Sequence, residues 1–339
     1  MSAKKRTVAL LSLGGTIVGS GAASTSAAYD PGKLPIKDVF TSIPEVGDMA
    51  HFEFQTLFDK GSPDNANIRL LLRTIQRCQE RADIDAIIVS SGTDTLSELS
   101  TAVCCGAHDA WTKPIVFTGA MRPVTGLSAD GPRNLHDAVK VAIDDGTRGR
   151  GTVAVMNSEI FQPPFFIKAD ANKVDAFTGG EAGPIGRVES DVVNFFWGPA
   201  QPKCPRVPLK NLDGDDPLPW IHIEYSYLGH EGITLDRLAK QEGPDVCRGL
   251  LLAGMGAGCW NEKAGNKIRE LHAARGAEFP IVASRRTATG FVGMADIYGL
   301  GDSCTRAGYL GPEQAAIVLQ MAVDNGWDGE KIKAHFHGA

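Results

Sequence analysis

Short β-rich apolar runs alternate with stretches of helical spacing along this chain, and that alternation restricts the fold more than any other feature. The first runs are TVALLSL at 7–13, HFEFQTLF at 51–58, DAIIVSS at 85–91, KPIVFTG at 113–119 and GTVAVMN at 151–157. Between several of them, segments 65–82, 95–110 and 130–144 carry apolar residues at helical spacing. Strand–helix–strand repetition implies βαβ units and a mostly parallel sheet. AIIV and PIVF are apolar at successive residues, which suits strands covered on both faces. The expected fold is α/β with a mostly parallel, doubly wound sheet, and function in such sheets gathers at the carboxyl ends of the strands.

At ~150 residues per domain, a chain of 339 residues suggests two domains. From 198 to 219 the sequence changes to GPAQPKCPRVPLKNLDGDDPLP, dense in proline and without apolar periodicity. That is the composition of a linker. Beyond it the rhythm restarts with WIHIEYSY, a helical stretch from 234, RGLLLAGM, a helix over 261–274, PIVASRR and a last helix over 312–325. The expected division is a large N-terminal domain at 1–198 carrying the catalytic motifs, a linker at 199–219 and a smaller α/β C-terminal domain at 220–339. An Ala/Ser/Gly-rich stretch at 19–28 is expected to be mobile.

Composition removes several classes of function. The chain carries 34 basic and 40 acidic side chains, a net charge of −6, and no basic block beyond Lys4-Lys5-Arg6, so nucleic acid is not an expected partner. No apolar run approaches the ~20 residues of a membrane span, so no membrane partner is expected. The seven cysteines are odd in number and scattered without a C-x-x-C pair, which suits reduced thiols in a cytoplasm. The eight histidines include no H-E-x-x-H, and His335-x-His337 falls in a tail expected to fray, so a metal is not expected. Lys4-Lys5-Arg6, Val8–Leu13 and GAASTSAA together imitate a signal peptide. The apolar core is short and broken by Gly14-Gly15, and it reads better as a buried first strand of a cytoplasmic protein.

Three strand ends carry chemistry. LLSLGGTIVGS places Thr16 after two glycines that let backbone approach a ligand. Gly14-x-x-x-x-Gly19 lacks the Lys and Ser/Thr of a phosphate loop, and G-x-G-x-x-G is absent. IIVSSGTDTLSEL brings Ser91, Gly92, Thr93 and Asp94 to a second strand end, two hydroxyls flanking an acid. Taken singly, these also fit a strand-ending turn and a capping box of Asp94 or Thr95 with Glu98. A third strand end gives FTGAMRPVTGLSADGPRNL, whose Gly126-x-Ser128-x-Asp130 lacks the last glycine of a nucleophile elbow. Arg122 in this segment is expected to tie loop carbonyls together.

LGGTI, GTDT, GAMRP and SADGPRNL, in this order and spacing, resemble the bacterial L-asparaginase family, including its glutaminase-asparaginases. The similarity extends through LLLAGMGAG and SRRTATG and so covers nearly the whole chain. It implies a two-domain α/β amidohydrolase that acts on the side-chain amide of asparagine without a cofactor, through a covalent acyl-enzyme. Thr16 matches the nucleophile, and Tyr29 in SAAYDPGK matches the tyrosine of the lid that helps activate it. Thr93, Asp94 and Lys168, in PFFIKADA, match a second triad. Ser62 in KGSPDN matches the residue that holds the substrate α-carboxylate, and Asp94 also matches the partner of its α-amino group. Pro63, Ser91, Gly92, Ala120 and Asp296 fall at or beside further positions expected to contact substrate. The resemblance also implies a homo-oligomer, a dimer or a dimer of dimers (a homotetramer).

A threonine hydroxyl is a poor nucleophile until a neighbour takes its proton. Tyrosine is a reluctant base unless a cation or desolvation helps it, and Lys168 beside Asp94 could supply that field or act as a base through Thr93. The first proton acceptor stays open between them. Pro63 stands where the family often has glutamine or another polar residue, and proline has no N–H to offer. Ala257 and Cys259 stand where asparagines would be expected. These departures leave room for another small amide (glutamine, D-asparagine or a lactam), or for a non-catalytic amino-acid-binding member of the fold.

Overall fold

Ser12, Ser90 and Thr118 lie side by side at the ends of three neighbouring parallel strands, and this register organises the larger part of the chain. The computed structural model describes residues 5–25, 28–58, 64–65, 67–243, 245–293 and 300–336. Two compact units result, one of Met1–Pro202 with Leu212–Pro217, the other of Lys203–Asn211 with Leu218–Ala339.

In the first unit, strand β1 (Thr7–Ser12) runs into a glycine turn and a small antiparallel pair, β2 (Ser20–Gly21) and β3 (Tyr29–Asp30). Two short helices, α1 (Ile36–Thr41) and α2 (Pro44–Met49), return the chain to β4 (His51–Thr56), parallel to β1. Helix α3 (Asn67–Glu80) leads to β5 (Ala86–Ser90), and α4 (Leu96–Cys105), which stops at Gly106, leads to β6 (Ile115–Thr118). Helix α5 (Gly131–Ile143) joins β6 to β7 (Thr152–Met156). Every residue of β5, β6 and β7 is buried, as their unbroken apolar sequences require. An antiparallel edge follows: β8 (Glu159–Phe161), then a two-stranded ribbon of β9 (Ile167–Lys168) and β10 (Phe177–Thr178), then β11 (Gly186–Glu189) and β12 (Val192–Phe195).

The eight-stranded sheet has the order β12-β11-β8-β7-β6-β5-β1-β4. Its parallel part is therefore β4-β1-β5-β6-β7, and the winding reverses between β1 and β5, the switch point at which open α/β sheets form their crevice. One face is covered by α1, α2 and α5, whose Ile36, Val39, Val46, Leu135 and Ala138 share a core with Val8, Leu10, Ile88 and Val116. Helices α3 and α4 pack together outside that core. The β6–α5–β7 crossover thus steps in the same direction as β5–α4–β6 but covers the other face, so its hand is opposite to that of the other crossovers. Left-handed crossovers are rare. Its consequence is local: the loop before α5 lies over the turn that follows β1.

The proline-rich stretch forms no helix or strand. Its part 212–217 belongs to the first unit, where Arg69 donates to the Asp216 carbonyl (2.9 Å) and Arg73 to those of Leu212 (3.2 Å) and Asp213 (3.0 Å).

The second unit is built on four parallel strands in sequential order: β13 (His222–Tyr225), β14 (Leu250–Gly254), β15 (Ile281–Arg285) and β16 (Thr305–Arg306). Helices α6 (Ile233–Ala239) and α7 (Glu262–Arg275) bury Leu235, Leu238, Ile268 and Leu271 against Leu250, Leu252 and Ile281. Helix α8 (Pro312–Asp324) packs on β13, β14 and β15. Helix α9 (Gly329–Phe336) ends on the buried ring of Phe336, the His335 ring lies 4.3 Å from that of Trp327, and His337 lies outside the described residues. Fold class and sheet organisation agree with the expectation from the sequence. No helix among the described residues is long and apolar enough to cross a membrane.

Candidate active site

Because Ser12, Ser90 and Thr118 are in register, the residues after them leave the sheet at one level. The ladder continues past the strand ends, with Leu13 N–H donating to Ser90 O (2.8 Å) and Ser91 N–H to Thr118 O (3.0 Å). Gly14 and Gly15 then turn the chain at φ 78° and 90°. Gly15 combines φ 90° with ψ −171°, a backbone open in practice only to glycine. A Cβ there would come within 2.4 Å of both Cα and N of Gly92. The glycines of LGGTI and GTDT thus face each other backbone to backbone. Likewise, a Cβ on Gly119 would lie 2.8 Å from Ser91 O and 3.3 Å from Thr93 Cγ2. Each of the three loops lacks a side chain where another approaches.

The hydroxyls gathered this way are largely buried: Thr16 is 7% exposed and Thr93 5%. Thr16 starts a 3-10 turn, and its Oγ1 lies 2.6 Å from the hydroxyl of Tyr29 on β3. On the second loop, Thr95 is the N-cap of α4 but makes no side-chain capping bond, and Asp94 pairs instead with Lys168. The ammonium of Lys168 donates to Asp94 Oδ1 at 2.6 Å and to Thr93 Oγ1 at 3.0 Å. Lys168 is 19% exposed, whereas the Asp94 side chain is 88% exposed and open to a ligand. Two residues back, Phe166 is buried and stacks on Phe177 at 4.5 Å, which fixes the ribbon that carries Lys168.

The third loop is tied within itself and to the first. Asp130 accepts from the N–H groups of Met121 and Arg122, both at 2.9 Å, and from Asn134 Nδ2 at 3.1 Å. Arg122 donates to Ser128 O (3.0 Å), the tie between loop segments expected of it. Val124 N–H donates to Gly19 O (3.2 Å), and Gly21 N–H to Thr125 Oγ1 (2.9 Å). Asp130 and Asn134 were not singled out in the sequence as holders of this loop; their i, i+4 spacing at the start of α5 was the available signal.

The structure brings Thr16 to Tyr29, Lys168 to Thr93 and Asp94, and Gly15 to Gly92. Ser91 and Ala120 are fully buried behind these groups, Ala120 against Gly131. Ser62, Pro63 and Asp296 lie outside the described residues. Among the described residues no group of three His, Cys, Asp or Glu side chains is arranged to hold a metal ion, and no disulfide joins any of the seven cysteines.

Comparison with known proteins places the chain in a family. Residues 7–201 match the family model of the asparaginase N-terminal domain, and residues 221–336 that of the glutaminase/asparaginase C-terminal domain. The chain belongs to the asparaginase family. It is 32% identical over 337 residues to L-asparaginase 2-3 of Saccharomyces cerevisiae, covering 98% of this chain and 90% of the yeast protein. L-asparaginase 2 of Bacillus subtilis is 30% identical over 333 residues, covering 97% and 86% respectively. The crystal structure of a probable cytoplasmic L-asparaginase from Campylobacter jejuni superposes with a TM-score of 0.86 at 27% identity, covering 99% of this chain and all of that one. An asparaginase-family member of this kind is a hydrolase acting on amides.

Proposed function

We propose that this chain hydrolyses the side-chain amide of L-asparagine to aspartate and ammonia through an ester on Thr16. The observation that carries the reading is the 2.6 Å contact of Thr16 Oγ1 with the Tyr29 hydroxyl, beside a second hydroxyl, Thr93, held by Lys168. In the first step Thr16 Oγ1 bonds to the amide carbon, the C–N bond breaks, and the Thr16 proton leaves with the nitrogen as ammonia, passing by way of Tyr29. In the second, water adds to the ester, the C–Oγ1 bond breaks, and the proton returns to Thr16. Lys168 acts through Thr93 and keeps the negative charge of Asp94 paired while its exposed oxygen receives the substrate ammonium. Ser62 holds the α-carboxylate. Gly92 offers backbone to the substrate at the second strand end, and an acid of a neighbouring subunit, with Asp296 as the candidate, completes the grip on the substrate ammonium.

Replacing Thr16 by Ala is expected to lower kcat for asparagine by ~10⁴-fold, and Thr93→Val by a similar factor, with folding unchanged. Wild-type ammonia release in both variants would end the reading. Pro63, Ala257 and Cys259, where the family pattern carries amides or other polar groups, favour a second reading in which a different small amide is the better substrate. Ammonia release from asparagine, glutamine, D-asparagine and succinamate separates the two. The same reading makes the working form a cytoplasmic homo-oligomer, a dimer or dimer of dimers, which light scattering on the purified protein tests.

A further inference from the structure

Gly19 sits at the end of the turn that begins with Thr16, with φ −83° and ψ 146°, an extended backbone that any residue adopts. Unlike Gly14 and Gly15, it is not glycine for the sake of its dihedral angles. A Cβ built on Gly19 would lie 2.8 Å from Cδ2 and 3.1 Å from Cε2 of Tyr29, and 3.0 Å from the Thr16 carbonyl oxygen. The ring edge therefore rests on the bare α-carbon.

Gly19 is itself held from both sides. Its N–H donates to Thr16 O at 2.8 Å, and its carbonyl accepts from Val124 N–H at 3.2 Å. Gly21 and Tyr29 are paired in the β2–β3 ladder, so the main chain fixes where the tyrosine starts and Gly19 fixes how deep its ring can lie. We infer that Gly19 is a positioning residue for Tyr29: the missing side chain is the seat that lets the phenol hydroxyl reach Thr16 Oγ1. A methyl group there would lift the ring edge, and because Cδ2 is close to the ring's attachment point, the hydroxyl at its far end would move at least as much. An O–H···O contact of 2.6 Å weakens steeply with such a displacement. This inference rests on the reading of Tyr29 in the proposed acylation.

Four proteins test it: wild type, Gly19→Ala, Tyr29→Phe and the double variant, each measured for kcat and KM on asparagine and for its thermal midpoint. Tyr29→Phe is expected to lower kcat about 100-fold, and Gly19→Ala at least about tenfold with KM moving less than kcat. In the Tyr29→Phe background the same alanine should change kcat by less than about twofold, since the hydroxyl it displaces is gone. Gly19→Ala with wild-type kcat overturns the inference. So does an equal loss in both backgrounds, which would mean that the methyl acts through the Thr16 carbonyl or the turn as a whole. Full turnover by Tyr29→Phe alone would instead remove the role given to Tyr29 and leave Gly19 nothing to position. If Gly19→Ala does not fold, adding Tyr29→Ala removes the ring: recovery of folded protein supports the seat, and continued misfolding overturns it.

Discussion

Both units are parallel sheets wrapped in helices, yet they use their polar residues in opposite ways. In the first unit Asp94 is paired by Lys168 and still exposed, Thr16 Oγ1 meets the Tyr29 hydroxyl, and Thr93 Oγ1 accepts from Lys168. In the second unit, Glu224 at the end of β13 is buried between two imidazoles, His222 Nε2 at 2.6 Å and His230 Nε2 at 2.7 Å. Ser284 and Arg285, at the end of β15, donate to the Leu310 carbonyl, and Arg285 also to that of Tyr309. One set is left available to a ligand, and the other spends these hydrogen bonds on neighbours within its own unit. A parallel α/β sheet offers strand ends as a place for chemistry, and the residues there decide whether it is used.

The largest effect that could break this contrast is on Lys168. Lys168→Met removes both donations, to Thr93 and to Asp94, and should lower kcat by about 10²- to 10³-fold. Its unfolding midpoint should move little, because an ion pair with one exposed partner contributes little stability. A steady-state assay beside a thermal melt checks both. A variant that stays active but melts early would turn Lys168 into a structural residue like Arg285.

Two glycines sharpen the comparison next. Gly15→Ala introduces a Cβ 2.4 Å from the Gly92 backbone at a glycine-only conformation, and should cost more than ~3 kcal/mol together with most of the activity. Gly256 in the second unit also has a positive φ, 53°, but a Cβ there meets nothing within 4 Å. Gly256→Ala should cost only the left-handed strain, ~1 kcal/mol, and leave turnover unchanged. Denaturant unfolding compares them. Equal costs would mean that the Gly15–Gly92 approach constrains nothing beyond its own dihedral angles.

How much of this was legible in the sequence follows from the range of each interaction. Strands β1, β5, β6 and β7 announced themselves because both of their faces are buried and their apolar runs are unbroken. The loops after the first three of them were legible as glycine and hydroxyl residues at strand ends. The antiparallel edge was not: β12 is VVNF with alternating half-buried residues, and β9 and β10 are two residues each, too short for a period. Helices α1 and α2, six residues each, were missed for the same reason. The opposite hand of the β6–α5–β7 crossover leaves no local trace, since it is set by which helices α5 packs against. Lys168 lies 75 residues from Thr93 and is delivered by the stacking of Phe166 on Phe177. No spacing rule reaches that far, and only its registration with the family motifs pointed to it.

A pH-dependent effect tests the closed half of the comparison. An ionised Glu224 only accepts, so each facing imidazole Nε2 carries its proton. Burial works against the charge on Glu224, but the hydrogen bonds from His222 and then His230 outweigh it and hold the carboxyl below its ordinary value. The unfolded chain then binds the proton at higher pH than the folded one. The stabilisation is therefore complete above the ordinary glutamate range, near ~4.3, and is lost as pH falls through the lowered folded value. Glu224→Gln keeps the shape but offers one imidazole an N–H where it needs an acceptor, at a cost of ~1–2 kcal/mol at neutral pH. Urea unfolding across pH 7 to 3 should show the wild type and the variant converging at the acid end, with asparagine turnover at pH 7 the same in both. A gap that stays constant with pH would mean that the charge of Glu224 contributes nothing, and a fall in turnover would mean that the second unit's polar cluster serves the chemistry after all.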